Sequence, residues 1–232
     1  MALELNRVRA LCFDVDGTLR DTDDQYVDRL ASYLKLVTPF LPRRDPKIMA
    51  RRTIMAIEDP GNLVLDLADR LGIDNLTARL LRAIERPRRR MNITMKALII
   101  PGVSEMLEAL HLHYPMAIVS TRGERATLDF LDSHALTGLF QVIATGQTCP
   151  RTKPHAMPVR WAAEQMGVAP ETCLMIGDTK VDIRAGQAAG AQTVGVLCGF
   201  GTEDELQKAG ASLILNSTAD LASYLRQYGP EM

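Results

Sequence analysis

The sequence predicts a doubly wound, parallel α/β sheet of the Rossmann-like kind, with an all-helical insert after its first strand. Three observations predict it. Short apolar runs recur between turn residues, mostly without polar alternation, as expected of strands covered on both faces. Helical spacings lie between these runs, and strand alternating with helix means a parallel sheet. The stretch 23–98 breaks the rhythm and holds helical patterns alone.

The first apolar run, 8–13, stops at Asp14. The insert then carries Val27, Leu30, Leu34 and Val37 at helical spacing, followed by Val64, Leu67, Ala68 and Leu71 with Gly72 as a stop. A further pattern over 76–84 ends before Pro87, and Pro39, Pro42 and Pro46 punctuate the segment. Beyond the insert, Val103, Met106, Leu107 and Leu110 mark one amphipathic helix. Val159, Ala162, Ala163 and Met166 mark another, closed by Gly167. The remaining strand-like runs are 116–120, 141–145, 173–176, 193–197 and 212–215. The expected organisation is a catalytic core from 1–22 and 99–232 and a helical domain from 23–98. There is no internal repeat and no low-complexity tract.

Composition narrows the function classes. Of 232 residues, 47% are hydrophobic and 24% charged, which suits a globular chain and not a disordered one. A net charge of −1 argues against a nucleic-acid binder. No run approaches the length of a membrane span, so no membrane partner is expected. The first residues carry charges throughout and no small-residue cleavage site, so they do not read as a secretory signal. Cys12, Cys149, Cys173 and Cys198 form no CxxC pair and read as small hydrophobes of a reducing cytoplasm. Charge is shared unevenly: 23–98 holds 15 Lys/Arg against 10 Asp/Glu, leaving the remainder at −6. The basic run 86–90 reads either as a solvated helix end or as a positive surface that attracts anionic substrates.

Four short motifs carry chemistry. In residues 12–22, an apolar strand runs into Asp14, then Asp16, Gly17 and Thr18. Ligands of open α/β sheets bind beyond the carboxyl ends of the strands, so both acids stand where a site is expected. Two acids so close repel unless a cation separates them, and a hard divalent ion is the simplest candidate. Alone, the pattern also fits a calcium-like loop or a plain acidic turn. The next strand ends in Ser120 and Thr121, where a hydroxyl and the following N–H groups suit a phosphate oxygen, although Ser and Thr end many strands. Lys153 precedes Pro154, a setting also common in exposed turns. Finally, another apolar strand delivers Asp178, with Asp182 four residues on, where an ordinary helix-start residue would also stand.

Taken in this order, the motifs resemble the haloacid dehalogenase-like hydrolase superfamily, in particular its phosphoglycolate phosphatase-like branch. Residues 14–18 look like its first motif, Ser120 its second, Lys153 its third, and Gly177-Asp178 with Asp182 its fourth. The resemblance covers essentially the whole chain. The insert stands where that branch carries its cap domain, and residues 195–210 resemble its C-terminal segment.

The resemblance implies a phosphatase acting on a small-molecule phosphate ester. Asp14 would be the nucleophile that forms an aspartyl-phosphate. Asp16 would protonate the leaving oxygen and then take a proton from water. Asp14, Asp178 and the carbonyl of Asp16 would hold Mg2+. Lys153 would neutralise charge at the nucleophile, and Ser120 with the N–H groups of Thr121 and Arg122 would hold the phosphoryl group. Asp182 would support Lys153 or a metal-bound water. Asp16 disfavours dehalogenase and phosphonate-cleaving chemistry, and Tyr26 stands near where mutases of the branch place a histidine. Phosphoglycolate fits the basic insert. Pyrophosphate, nucleotides and sugar phosphates fit nearly as well. A catalytically silent binding module is disfavoured by the presence of Asp14, Lys153 and Asp178. Arg20 departs from the branch, which has an apolar residue there. It reads either as a surface partner of Asp21, Asp23 or Asp24, or as an extra cation that selects a second negative charge on the substrate. Arg51 and Arg52 are the other candidates for substrate selection, alongside a solvated helix face. Monomer and homodimer suit the sequence equally.

Overall fold

Six strands form one parallel sheet in the order β5-β4-β1-β6-β7-β8. They are β1 (Ala10–Phe13), β4 (Met116–Val119), β5 (Val142–Ala144), β6 (Cys173–Gly177), β7 (Gln192–Val196) and β8 (Leu213–Leu215). Each lies within or one residue beyond a run read as a strand. In the computed structural model the described residues are 3–21, 31–33, 50 and 98–229. Two short strands, β2 (Arg20–Asp21) and β3 (Leu98–Ile99), pair separately from the main sheet. By proximity the chain divides into two compact units, Met1–Asp21 with Ile99–Met232, and Thr22–Leu98. Residues 31–33 and 50 are helical. The other helices expected of the insert, with Tyr26, Arg51, Arg52 and the run 86–90, lie outside the described residues.

The continuous apolar character of β1, β4 and β6 follows from burial on both faces. One face presents small residues, among them Ala10, Cys12, Ala117, Ala144 and Cys173. Two helices pack there: α3 (Met157–Gln165) on β4 and β5, and α4 (Lys180–Ala189) on β6 and β7. The alternate residues Leu11, Phe13, Ile118, Leu174 and Ile176 are also fully buried and point to the opposite face. Helix α1 (Val103–His111) packs against α6 (Leu221–Tyr228). Each large side chain so buried contributes about 1.5–3 kcal/mol of hydrophobic stabilisation.

Helices α1 and α3 bury the residues that their spacing nominates. Helices α2 (Glu124–Ser133) and α5 (Glu203–Ala209) complete the order. Both α4 and α5 begin with a threonine capping box, Thr179 with Asp182 and Thr202 with Glu205.

What positions the site is the centre of the sheet. From β1 the chain moves to β4 and β5 on one side, then crosses back to β6 on the other. This reversal is a topological switch point, where a crevice opens at the carboxyl ends of the strands. Phe13 is in register with both Ile118 and Ile176. The residues just beyond β1, β4 and β6 therefore emerge level with one another.

Candidate active site

The segment after β1 is a tight loop. Asp14 N–H donates to Ile176 O at 2.9 Å, which carries the sheet ladder one residue past β1. The N–H groups of Leu19 and Arg20 both donate to Val15 O, at 2.9 Å each, and Gly17 N–H donates to Arg20 O at 2.8 Å. Gly17 has φ +82, which favours glycine, and a Cβ there would collide with Asp178 Oδ2 and the Phe200 ring. The loop presents Asp14 and Asp16 to two different sets of partners.

Asp14 faces Lys153. The ammonium nitrogen lies 2.6 Å from Asp14 Oδ1 and 2.6 Å from Asp182 Oδ1. Asp182 is itself fixed, because its Oδ2 accepts Thr179 N–H at 3.0 Å and Thr179 Oγ1–H at 2.7 Å. Asp178 Oδ2 accepts Phe200 N–H at 2.8 Å, and Thr18 Oγ1 lies 3.4 Å from Asp178 Oδ1. Carboxylate oxygens of Asp14, Asp178 and Asp182 lie within 4.8 Å of one another, and all three residues are buried. One lysine against three acids leaves the group short of positive charge. Burial pushes the Asp14 carboxyl up to about 7. Lys153 opposes that shift, and Asp182 and Asp16 add to it. Burial, then Asp182 and Asp14, also pushes Asp178 upward. Lys153 is held above its ordinary value, because the two carboxylates outweigh the effect of burial.

Asp16 faces two arginines. Arg20 Nη1 lies 3.0 Å from Asp16 Oδ1, and Arg122 Nη1 lies 2.6 Å from the same oxygen. Arg122 is held by its backbone: its N–H donates to Ser120 Oγ at 3.1 Å, and its carbonyl accepts Gly146 N–H at 2.8 Å. Ser120 is buried at the end of β4, and Thr121 beside it is half-buried.

The structure thus brings Asp14, Lys153, Asp178 and Asp182 into one cluster and Asp16, Arg20 and Arg122 into another. Lys153 is no exposed turn residue; it is 6% exposed. Asp182 serves as a helix-start residue and as the partner of Lys153 at once, one function per oxygen. Arg20 is no surface side chain, since it is 5% exposed and places one guanidinium nitrogen on Asp16. The sequence reading missed the Arg122 guanidinium at Asp16, having considered only the backbone N–H there. It also missed Phe200 N–H at Asp178. The glycines on either side of Phe200 are the signal for that contact: a Cβ at Gly199 would overlap the Asp178 carboxylate, and one at Gly201 would overlap its backbone oxygen.

The Asp14 cluster fits a hard divalent cation. Its donors are all carboxylate oxygens, and burial, with neighbouring acids adding to it, raises Asp14 and Asp178. Asp182 has both oxygens engaged, which leaves Asp14 and Asp178 as the acids available to an ion.

Comparison with known proteins agrees with this geometry. The family model described as haloacid dehalogenase-like hydrolase matches residues 11–196. A phosphoglycolate phosphatase of Chromobacterium violaceum is 27% identical over 97% of this chain and 99% of its own length. A hydrolase of the same family from Deinococcus radiodurans, solved with bound phosphate and sodium, is 26% identical. Its TM-score is 0.66, over 96% of each chain. A haloacid dehalogenase-like hydrolase from Streptococcus pneumoniae shares the fold with a TM-score of 0.67 at 24% identity, over 94% of this chain and 99% of that one. A sheet that ends in these motifs, at these positions, with these relatives, means that the chain belongs to the haloacid dehalogenase-like hydrolase family, within its phosphoglycolate phosphatase-like branch.

Proposed function

We propose that the protein is a magnesium-dependent phosphatase that cleaves a small anionic phosphate monoester, of which phosphoglycolate is the first candidate, through an aspartyl-phosphate on Asp14. The observation that carries the reading is the hold on Asp14. Lys153 takes Oδ1, and Oδ2 has no hydrogen-bond partner among the described residues. An aspartate whose one oxygen is pinned and whose other is open suits in-line attack on phosphorus.

In this reading Asp14 Oδ2 forms a bond to phosphorus as the bond to the leaving oxygen breaks. Asp16 gives that oxygen its proton, and later accepts a proton from the water that releases phosphate and restores Asp14. Ser120, Thr121 and Arg122 form the loop that holds the transferring phosphoryl, and Lys153 offsets the charge that gathers at Asp14. The carboxylates of Asp14 and Asp178 and the carbonyl of Asp16 would hold Mg2+, which when bound supplies positive charge toward the phosphoryl oxygens. Asp182 keeps Lys153 in place. Arg51 and Arg52 are candidates to read the part of the substrate that is not transferred. Phosphoglycolate is favoured by the name of the relative and by the basic balance of 23–98. We infer a cytoplasmic setting for the reaction, a reading that the four free cysteines support. No helix among the described residues is long and apolar enough to cross a membrane.

The test is a panel of phosphate monoesters assayed with magnesium and with chelator, followed by rapid quench and peptide mass spectrometry. The expected result is magnesium-dependent turnover, highest for carboxylated esters, with a phosphoryl adduct on the peptide that contains Asp14. An adduct elsewhere, or turnover indifferent to the metal, overturns the reading.

A further inference from the structure

We propose that Arg20 and Arg122 act together as positioning residues. They clasp Asp16 by Oδ1 and so assign Oδ2 as the oxygen that exchanges the proton with the leaving group. The inference rests on the acid/base role given to Asp16 above.

The two arginines arrive from different parts of the chain. Arg20 comes from the far side of the same tight loop, whose backbone bonds Gly17 to Arg20 and Arg20 to Val15. Arg122 comes from the loop after β4 and is tied down at both its N–H and its carbonyl. Both nonetheless meet one oxygen, at 3.0 and 2.6 Å. A guanidinium only donates, so an oxygen that accepts from two of them has no room for a proton of its own. Asp16 Oδ2 has no hydrogen-bond partner among the described residues. Rotation about the last side-chain bond would exchange the two oxygens, and two cations brought to one oxygen by different loops oppose that rotation. Burying a guanidinium is costly, so a pair of them on one carboxylate oxygen is a specified geometry. The arrangement gives Arg20 a function that its position in the sequence does not suggest, since its Nη1 meets Asp16 Oδ1.

The experiment compares wild type with Arg20→Met, Arg122→Met and Asp16→Asn. Single-turnover release of the alcohol is measured from phenyl phosphate and from 2,4-dinitrophenyl phosphate, with phosphoglycolate turned over beside them and folding checked by circular dichroism. A good leaving group needs little protonation, so the phenyl-to-dinitrophenyl rate ratio reports the acid. Misplacing the acid in either arginine variant is expected to lower that ratio by about ten- to hundredfold. A ratio that stays at the wild-type value in both variants overturns the clasp, as does a loss confined to carboxylated substrates, which would make the arginines readers of the substrate tail. If Arg20→Met does not fold, Arg122→Met decides alone, because its backbone anchors remain. Asp16→Asn separates the two levels of the argument. A ratio unchanged in that variant overturns the acid/base role itself. A ratio lowered there but not in the arginine variants overturns only the clasp.

Discussion

Asp14 and Asp16 are the same residue two positions apart, each about 7% exposed, yet the charges around them have opposite sign. Asp14 shares one lysine with Asp182 and lies close to Asp178. Asp16 meets two guanidinium groups on a single oxygen. Equal burial therefore does not make equal carboxylates: the count and sign of the partners decide what each group does. The Asp14 cluster is built short of positive charge, which suits it to a cation. The Asp16 cluster is built with its cations already in place, which suits a group that must hold one orientation.

The strongest way to break this comparison is to remove the acid at its negative end. Asp14→Asn keeps size and should lower turnover by more than about ten-thousandfold, as loss of a nucleophile does. Steady-state assay of the folded variant checks it, and residual activity above that level argues against covalent catalysis at Asp14. Next in size is the cation on which the cluster depends. Lys153→Met leaves Asp14 and Asp182 without their shared partner and should cost about 3–5 kcal/mol of stability, read by urea unfolding at neutral pH.

A subtler test uses pH. Because Asp14 sits near 7 in the folded protein, the folded state keeps a proton there after the unfolded chain has lost it. Stability contributed by that proton is full below about 4 and is lost as pH rises to about 7. In chelator, the stability of the wild type should therefore fall across this window by up to about 1.4 kcal/mol per pH unit relative to Asp14→Asn. Magnesium should flatten the difference, since it favours the ionised acids. Parallel curves for the two proteins would contradict the crowding of acids. The smallest effect is expected at Gly199, where the atoms nearest to an added methyl group all belong to the Asp178 side chain. Gly199→Ala should raise the magnesium concentration for half-maximal activity by about ten- to hundredfold. The phenyl-to-dinitrophenyl ratio should stay as in wild type, and a change in that ratio would mean the two clusters are not independent.

Much of the catalytic core was legible in the sequence because its strands are buried on both faces and end on polar residues. Apolar runs such as 116–120 mark their own ends, and the acids or hydroxyls that follow fall at the site by topology. Helices α1 and α3 were legible through one apolar face. Helices α4 and α5 begin with threonine caps instead, which the apolar spacing does not register. Partnerships between distant residues were not legible. Nothing near Arg122 in the chain announces Asp16, and Arg20 has acidic neighbours in sequence that made a surface pair the simpler reading. Burial of a charged side chain is decided by what the rest of the fold places beside it, and a linear pattern does not carry that information.

Each cluster depends on contacts between residues far apart along the chain: Lys153 to Asp14 across 139 positions, Thr18 to Asp178 across 160 and Arg122 to Asp16 across 106. Closing loops of that length comes late and slowly in folding. Helices and local turns are thus expected to appear well before any turnover during refolding. During synthesis Asp14 leaves the ribosome before β6, so the cluster it forms with Lys153, Asp178 and Asp182 closes only after that strand has followed. A chain that stops short of residue 200 would lack the Phe200 amide at Asp178, so the site is completed by a segment that follows all of its acids in the sequence.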